Sequence, residues 1–278
     1  MIIAADLKER LRGLGSLDDA GIDLAETAML LAALDRPEGD LTPYRDHLSE
    51  MVLHVKSKAP SGAARDIERQ ARALVDVLAE DYGYCGDTLT YDDPQNANLL
   101  RVIDRRKGLP VALSILYIHA ARAQGWGATG INFPGHFLIR LEADDGRVIL
   151  DPFNGGVERD VADLRALLKQ MSGLDAELTP AHYEPIGNRD TLIRLLNNTK
   201  LRAQMAKDED RVAEILDRML LVSPHDPALL HEAGVSFAQI GNLRRAIESL
   251  EAFLARNQDP ARQATVERLL HQIRSRLN

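Results

Sequence analysis

Residues 111–121 constrain this chain more than any other stretch, because nearly all of them are apolar, with Ser114 and His119 the main interruptions. Gly108-Leu109-Pro110 opens the run and Gly125 ends it. A helix that is apolar around its whole circumference has no face to give to water, so other elements must enclose it. Pro110 suits the first helical position, where the missing N–H would be unpaired in any case. A length of 278 residues with 45% hydrophobic content supplies enough material for a core around that helix and for a second one beyond it.

The segments before the run read as helices. Asp23 followed three residues later by Glu26 resembles a capping box, and the helix it starts, at residues 24–34, stops at Asp35, Arg36 and Pro37. Thr42-Pro43 starts a second helix with Tyr44, Leu48, Met51, Val52 and Val55 on one face. A third follows Ser61, with Ile67, Ala71, Leu74, Val75 and Leu78 as its stripe. A loop rich in turn formers, residues 87–98, leads into a short helix at about Leu99 to Arg105.

After the run the period changes to that of strands, at residues 128–133, 136–142 and 147–150, and Ala143-Asp144-Asp145-Gly146 between the last two is a hairpin turn signal. A hairpin centred on Asp144-Asp145 places Leu138 opposite Asp151 and makes His136 the diagonal neighbour of Asp151, about 7–8 Å away between backbones. A carboxylate that accepts from one imidazole nitrogen fixes the tautomer and stabilises the charged ring, the orienting half of a nucleophile, base and acid triad. Taken singly, His136 also fits a hydrogen-bonded histidine at a strand start, and Asp151 a turn residue ahead of Pro152.

The order Arg106-Lys107-Gly108-Leu109-Pro110, buried helix, His136, then Asp151-Pro152 resembles the transglutaminase-like proteins, in which a cysteine begins the buried helix and histidine and aspartate follow on strands. The wording at Asn96 and at residues 108–113, 134–137 and 151–156 is similar to that of a bacterial family described as regulators of SirC expression, with transglutaminase-like and tetratricopeptide-repeat regions. The likeness covers nearly the whole chain. It implies an α+β fold: a transglutaminase-like (papain-like) core with N-terminal helices, followed by α-helical tetratricopeptide-type repeats. The expected division is 1–95 for the N-terminal helical part, 96–190 for the α+β core and 191–278 for the repeats with a C-terminal cap.

The resemblance marks Asn96, Pro110, His136, Asp151 and Asn154 as residues of a binding cleft, with His136 and Asp151 the remnant of a triad. In active transglutaminase-like enzymes the residue two after the glycine is cysteine, whose thiol pKa is lowered at a helix N-terminus. Here that residue is Pro110, which has no nucleophilic atom. Ser114, one turn on, reads as a buried hydroxyl bonded to the helix backbone. Cys85 can reach such a cleft from a loop, but Gly83-Tyr84-Cys85-Gly86 reads as a turn with no helix start behind it to activate the thiol.

Two classes of function follow. One is a non-catalytic binding, scaffold or regulatory protein. The other is an enzyme, either a cysteine-dependent hydrolase or acyl transferase using Cys85 with His136 and Asp151, or one using His136 as a general base without a covalent step. Control of gene expression is implied only by the family description, and would be indirect for so acidic a chain.

The C-terminal third repeats at a period of about 34 residues, the length of a tetratricopeptide repeat. The clear copy, residues 227–260, carries Leu230, Ala233, Gly234, Phe237, Gly241, Ala246, Leu250 and Phe253; the copy before it puts Thr199, Lys200 and Ala203 in corresponding places and is degenerate. A last helix, residues 261–277, reads as a solenoid cap. Such repeats point either to a protein or peptide partner on a concave face or, in so short an array, to helices that pack against the preceding domain and stabilise it.

A formal net charge of -8 leaves no excess of cations for a phosphate backbone, so nucleic acid is not an expected partner. The one basic cluster, Arg105-Arg106-Lys107, reads as a solvated helix end. The N-terminal residues lack the apolar run of a signal peptide, and no stretch has the length of a membrane span, so the expectation is a cytoplasmic protein without a membrane partner. One cysteine excludes an internal disulfide or a multi-cysteine zinc site, His47 and His54 alone do not make a metal site, and no cofactor is expected.

Overall fold

The computed structural model of the chain describes residues 4–36, 39–59, 66–144 and 146–277. They form two compact units, one of Leu17–Leu195 with the residues through Leu7, the other of Lys8–Ser16 with Leu196–Asn278. The helix α1 (Ala4–Arg12) therefore contributes to both.

In the first unit, α2 (Leu24–Ala33), α3 (Thr42–Lys58), α4 (Ile67–Val75) and α5 (Leu99–Arg105) precede the central helix α6 (Pro110–Arg122) and pack against it. Their starts are chemical. Asp23 accepts from the Glu26 N–H, Asp66 from Arg69 and Asn98 from Arg101, each cap contributing about 0.5–2 kcal/mol. The Glu26 carboxylate binds Arg45, and the α4 cap is Asp66; Ser61 and Pro37 lie outside the described residues. Past Val75 the helix widens into a π-helical stretch, Asp76–Asp81.

In α6, Val111, Ala112, Leu113, Ile115, Leu116 and Ile118 are all essentially inaccessible, and burying a side chain of Val, Leu or Ile size stabilises by about 1.5–3 kcal/mol. This helix lies on a five-stranded antiparallel sheet. Counting the short parallel pair β1 (Cys85–Gly86) and β2 (Lys107–Gly108), the sheet strands are β3 (Gly127–Ile131), β4 (Leu138–Ala143), β5 (Gly146–Asp151), β6 (Val157–Glu158) and β7 (Pro185–Ile186), in the order β6-β5-β4-β3-β7. The hairpin register runs from Ala143↔Gly146 to Ile139↔Leu150, which sets Leu138 opposite Asp151 as the turn signal implied; Asp145 at its tip lies outside the described residues. Ile139, Leu141, Val148 and Leu150 fall on the α6 face by alternation. On the other face Ile131, Phe133, Leu138 and Ile149 pack with Leu164 and Leu168 of α7 (Val161–Ser172). The α6 set is apolar throughout, whereas the other set alternates Leu138 and Ile149 with Arg140, Glu142 and Arg147, so α7 covers only part of that face.

The next helix, α8 (Asn188–Met205), contains both the sequence-based boundary at 190/191 and the division between the units at Leu195/Leu196. In the second unit α9 (Glu209–Val222), α10 (Pro227–Gln239), α11 (Leu243–Leu254) and α12 (Pro260–Leu277) follow one another as packed helices. The clear repeat is α10 with α11, and its Ala233, Phe237, Ala246, Leu250 and Phe253 are buried. In the degenerate copy Lys200 stands where Gly234 stands in the clear one; its stem is buried and its ammonium reaches Glu232 at 2.8 Å. Lys8–Ser16 joins this unit with Leu11 and Leu14 buried and Lys8 3.3 Å from Asp217. No helix among the described residues is long and apolar enough to cross a membrane.

Candidate functional site

The site is built by two turns at the ends of the hairpin strands. Before β4, the chain reverses through Phe133-Pro134-Gly135-His136, closed by the His136 N–H donating to the Phe133 carbonyl at 3.0 Å. Gly135 has φ +69°, as the third position of a turn with proline second requires. His136 thus sits in the turn two residues ahead of the strand rather than within it, a correction to the strand starting at 136: the Pro-Gly pair bends the backbone before ladder pairing begins. After β5, Asp151 caps the short 3-10 turn Pro152–Asn154.

The two turns meet. His136 Nε2 lies 2.9 Å from Asp151 Oδ1, both side chains buried. An ionised carboxylate only accepts, so Nε2 carries the proton and Nδ1 is left as the free ring nitrogen. Asp151 also accepts from the Asn154 backbone N–H at 3.3 Å, from Asn154 Nδ2 at 2.8 Å and from Arg159 Nη2 at 2.8 Å. Burial pushes the Asp151 carboxyl up, but the hydrogen bonds from His136, Asn154 and Arg159 outweigh it and hold the pKa at about 2. The carboxylate is charged and fully committed.

Around this pair, Phe153 stands edge-on to His136 with ring centroids 5.9 Å apart, and Tyr91 stands edge-on to Phe153. The other side of Phe153 presses on Gly86, where an added Cβ would sit 2.6 Å from the ring. Cys85 is partly exposed, on a strand packed against the Pro152–Asn154 turn. The stretch expected to be a turn is strand β1, because the Cys85 N–H donates to the Arg106 carbonyl and the Asp87 N–H to that of Gly108.

On α6, Pro110, Ser114 and Tyr117 share one face at spacings of four and three. Pro110 is buried at the first helical position. The Ser114 and Tyr117 hydroxyls are buried with no hydrogen-bond partner among the described residues, which corrects the expected bond from Ser114 to its own helix backbone. Tyr117 reaches Gly156, just past Asn154, and burial with the nearby Asp151 charge raises its phenol pKa.

Asn96 is fully buried with its amide in use: Nδ2 donates to the Thr90 carbonyl at 2.6 Å and Oδ1 accepts from Arg105 at 2.9 Å. Its backbone carbonyl accepts from Leu109, so Asn96 ties the 87–98 loop to the entry of α6. Asp87, held below the usual carboxylate range by hydrogen bonds from Thr90, pairs with Arg105 at 2.9 Å. The reading of Arg105-Arg106-Lys107 as a solvated helix end is therefore corrected: Arg105 is spent on Asp87 and Asn96, Arg106 is half-buried, and only Lys107 is exposed. Arg159 escaped the sequence reading. Its signal was indirect, since a buried carboxylate needs more donors than one imidazole supplies. No cluster of three His, Cys, Asp or Glu side chains able to hold a metal occurs among the described residues.

A central buried helix on an antiparallel sheet, followed by paired helices of repeat length, defines a transglutaminase-like protein with tetratricopeptide repeats. The transglutaminase-like superfamily model matches residues 42–197 and a tetratricopeptide repeat model matches residues 200–278. Within that class, the chain belongs to the UPF0162 protein family. It is 32% identical over 244 residues to the UPF0162 protein of Xylella fastidiosa (strain Temecula1), covering 87% of this chain and 86% of that one. The Vibrio cholerae UPF0162 protein is 28% identical over 240 residues, 85% of this chain and 87% of its own. F-box only protein 21 of Mus musculus is 28% identical over 149 residues, 50% of this chain and 23% of that one.

Proposed function

We propose that the protein is a non-catalytic transglutaminase-like binding or scaffold protein, which holds a ligand or partner segment in the cleft of His136 and Asp151 and engages a protein or peptide through its helical repeats. The observation that carries this reading is the pairing of an ordered His136–Asp151 bond with a proline at the start of α6. The imidazole is oriented for a partner on Nδ1, yet the residue that would lead the helix as nucleophile has no atom to attack with. Asn154 and Arg159 complete the support of the carboxylate, which favours a rigid polar recognition site.

One observation favours a second reading: Cys85 is partly exposed on a strand that packs against the Pro152–Asn154 turn. It makes the thiol the alternative nucleophile of a hydrolase or acyl transferase. Hydrolysis of a p-nitrophenyl ester and amine transfer to a glutamine peptide, measured for the wild type, Cys85→Ser and His136→Ala, separate the two. The binding reading expects the three proteins to be indistinguishable. Turnover in the wild type that both substitutions abolish would overturn it in favour of catalysis.

A further inference from the structure

Away from the His136 cleft, the ends of α2 and α5 and the start of α3 enclose a cavity of about 560 Å³. Its wall includes Arg36, Tyr44, His47, Arg101, Asp104 and Arg106. The two carboxylates on it are engaged: Asp104 accepts from the Tyr44 hydroxyl at 3.2 Å and lies 3.5 Å from Arg101, and Asp40 accepts from the Thr42 N–H at 2.9 Å.

Arg106 differs from the other cations. It is half-buried, and among the described residues no carboxylate lies within ion-pair distance of it. Its Nη1 donates to His47 Nε2 at 2.5 Å and to the Tyr84 hydroxyl, and its guanidinium carbon lies 4.8 Å from the Tyr84 ring centroid and 5.4 Å from that of Tyr82. Neutral acceptors and ring faces hold the group in place without cancelling its charge. Nη1 is turned to these two acceptors, which are themselves hydrogen-bonded to each other at 2.8 Å. The edge formed by Nε and Nη2 makes no hydrogen bond among the described residues, and that edge matches a carboxylate or phosphate with two parallel N–H donors.

The backbone points the same way. Arg106 ends α5 with φ +58°, a left-handed conformation for which glycine is the ordinary residue. A side chain there costs about 1–2 kcal/mol, and conformations of this kind gather at ligand clamps. The strained conformation is thus a second feature, beside the open edge, that singles out Arg106.

We propose that this cavity is a binding site for a small oxyanion, the carboxylate or phosphate group of a small molecule, seated on the open edge of Arg106. Arg36, at the end of α2, adds a second positive charge to the wall. His47 and Tyr84 are positioning residues that fix the guanidinium plane. The site is independent of the reading given to His136 and Asp151.

The test uses the full chain and two probes, inorganic phosphate and succinate, titrated at constant pH and ionic strength while the Arg106 Nε–H resonance is followed by NMR and the heat by calorimetry. A saturable shift is expected with at least one probe. Saturation by phosphate alone assigns a phosphate-bearing ligand, and by succinate alone a carboxylate. Arg106→Gly, which the backbone conformation accepts, should weaken binding at least tenfold. Arg106→Lys, which keeps a charge but loses the paired donors, should do the same, and carries the test alone if the glycine variant loses its native circular dichroism. Lys107→Ala should bind as the wild type. A response that stays linear with both probes, or binding unchanged in the lysine variant, overturns the proposal.

Discussion

At the scale of single residues, Asp151 is the most consequential side chain described. It is a buried charge satisfied by His136, Asn154 and Arg159, and removing one partner of such a set leaves the others uncompensated. Asp151→Ala should destabilise the first unit by about 3–5 kcal/mol, read from urea unfolding of the full chain; a change under 1 kcal/mol would mean that the network contributes little to the fold. His47 gives a pH-dependent counterpart. Burial, and then the Arg106 charge, lower its pKa from 6.5 to about 4. The unfolded chain therefore binds a proton below pH 6.5 that the folded chain refuses until about pH 4, so the contribution of this group to stability is complete above 6.5 and drains away as pH falls through that window. Tyr82 and Tyr84, whose phenol pKa values burial raises, and the Arg106 guanidinium face it. His47→Gln should flatten the fall in denaturation midpoint between pH 7 and pH 4.5; an unchanged slope would assign the dependence to other groups, among them His119, which burial also lowers. The pairing of His136 with Asp151 was legible because hairpin register is arithmetic once the two-residue turn is recognised. Arg159 and Arg106 were not, since what a long cationic side chain touches is decided by three-dimensional neighbours, and a run of three basic residues looks the same whether it is solvated or divided among three environments.

At the scale of elements, α6 carries the first unit. Leu116 is inaccessible, and Leu116→Ala removes methyl groups from a site that neighbouring helices and the sheet cannot collapse to fill, at about 2–5 kcal/mol. A thermal melt of that variant should shift down as one cooperative step for the first unit; a shift within error would show that the helix tolerates a void. This helix was legible from its composition alone, as were the hairpin and the clear repeat, because each has a period or a run that no alternative element satisfies. What escaped were β6 and β7, two residues each, too short for any period to be counted, and α7, whose exposed face includes Val161 and Met171 and so blurs the stripe formed by Leu164 and Leu168. The strand β1 escaped for a related reason: Cys85-Gly86 pairs with residues beyond an intervening loop and helix, and nothing local announces a partner that distant.

At the scale of the whole molecule, the assignment of Lys8–Ser16 to the unit formed by Leu196–Asn278 stands out. Leu11 and Leu14 are buried there, so a fragment of residues 196–278 lacks part of its own core. A peptide of residues 4–16 added to that fragment should raise its melting temperature in a concentration-dependent way, as any group that binds only the folded form must; no rise at saturating peptide would mean that the repeats fold without it. Composition offered no sign of this exchange, because an amphipathic nine-residue helix carries no mark of which core it joins. The same feature sets an order of events during translation. Residues 8–16 are made before residues 196–277, and at about 5–20 residues per second the interval is on the order of ten seconds or more. Through that interval Leu11 and Leu14 lack the helices that bury them in the folded second unit.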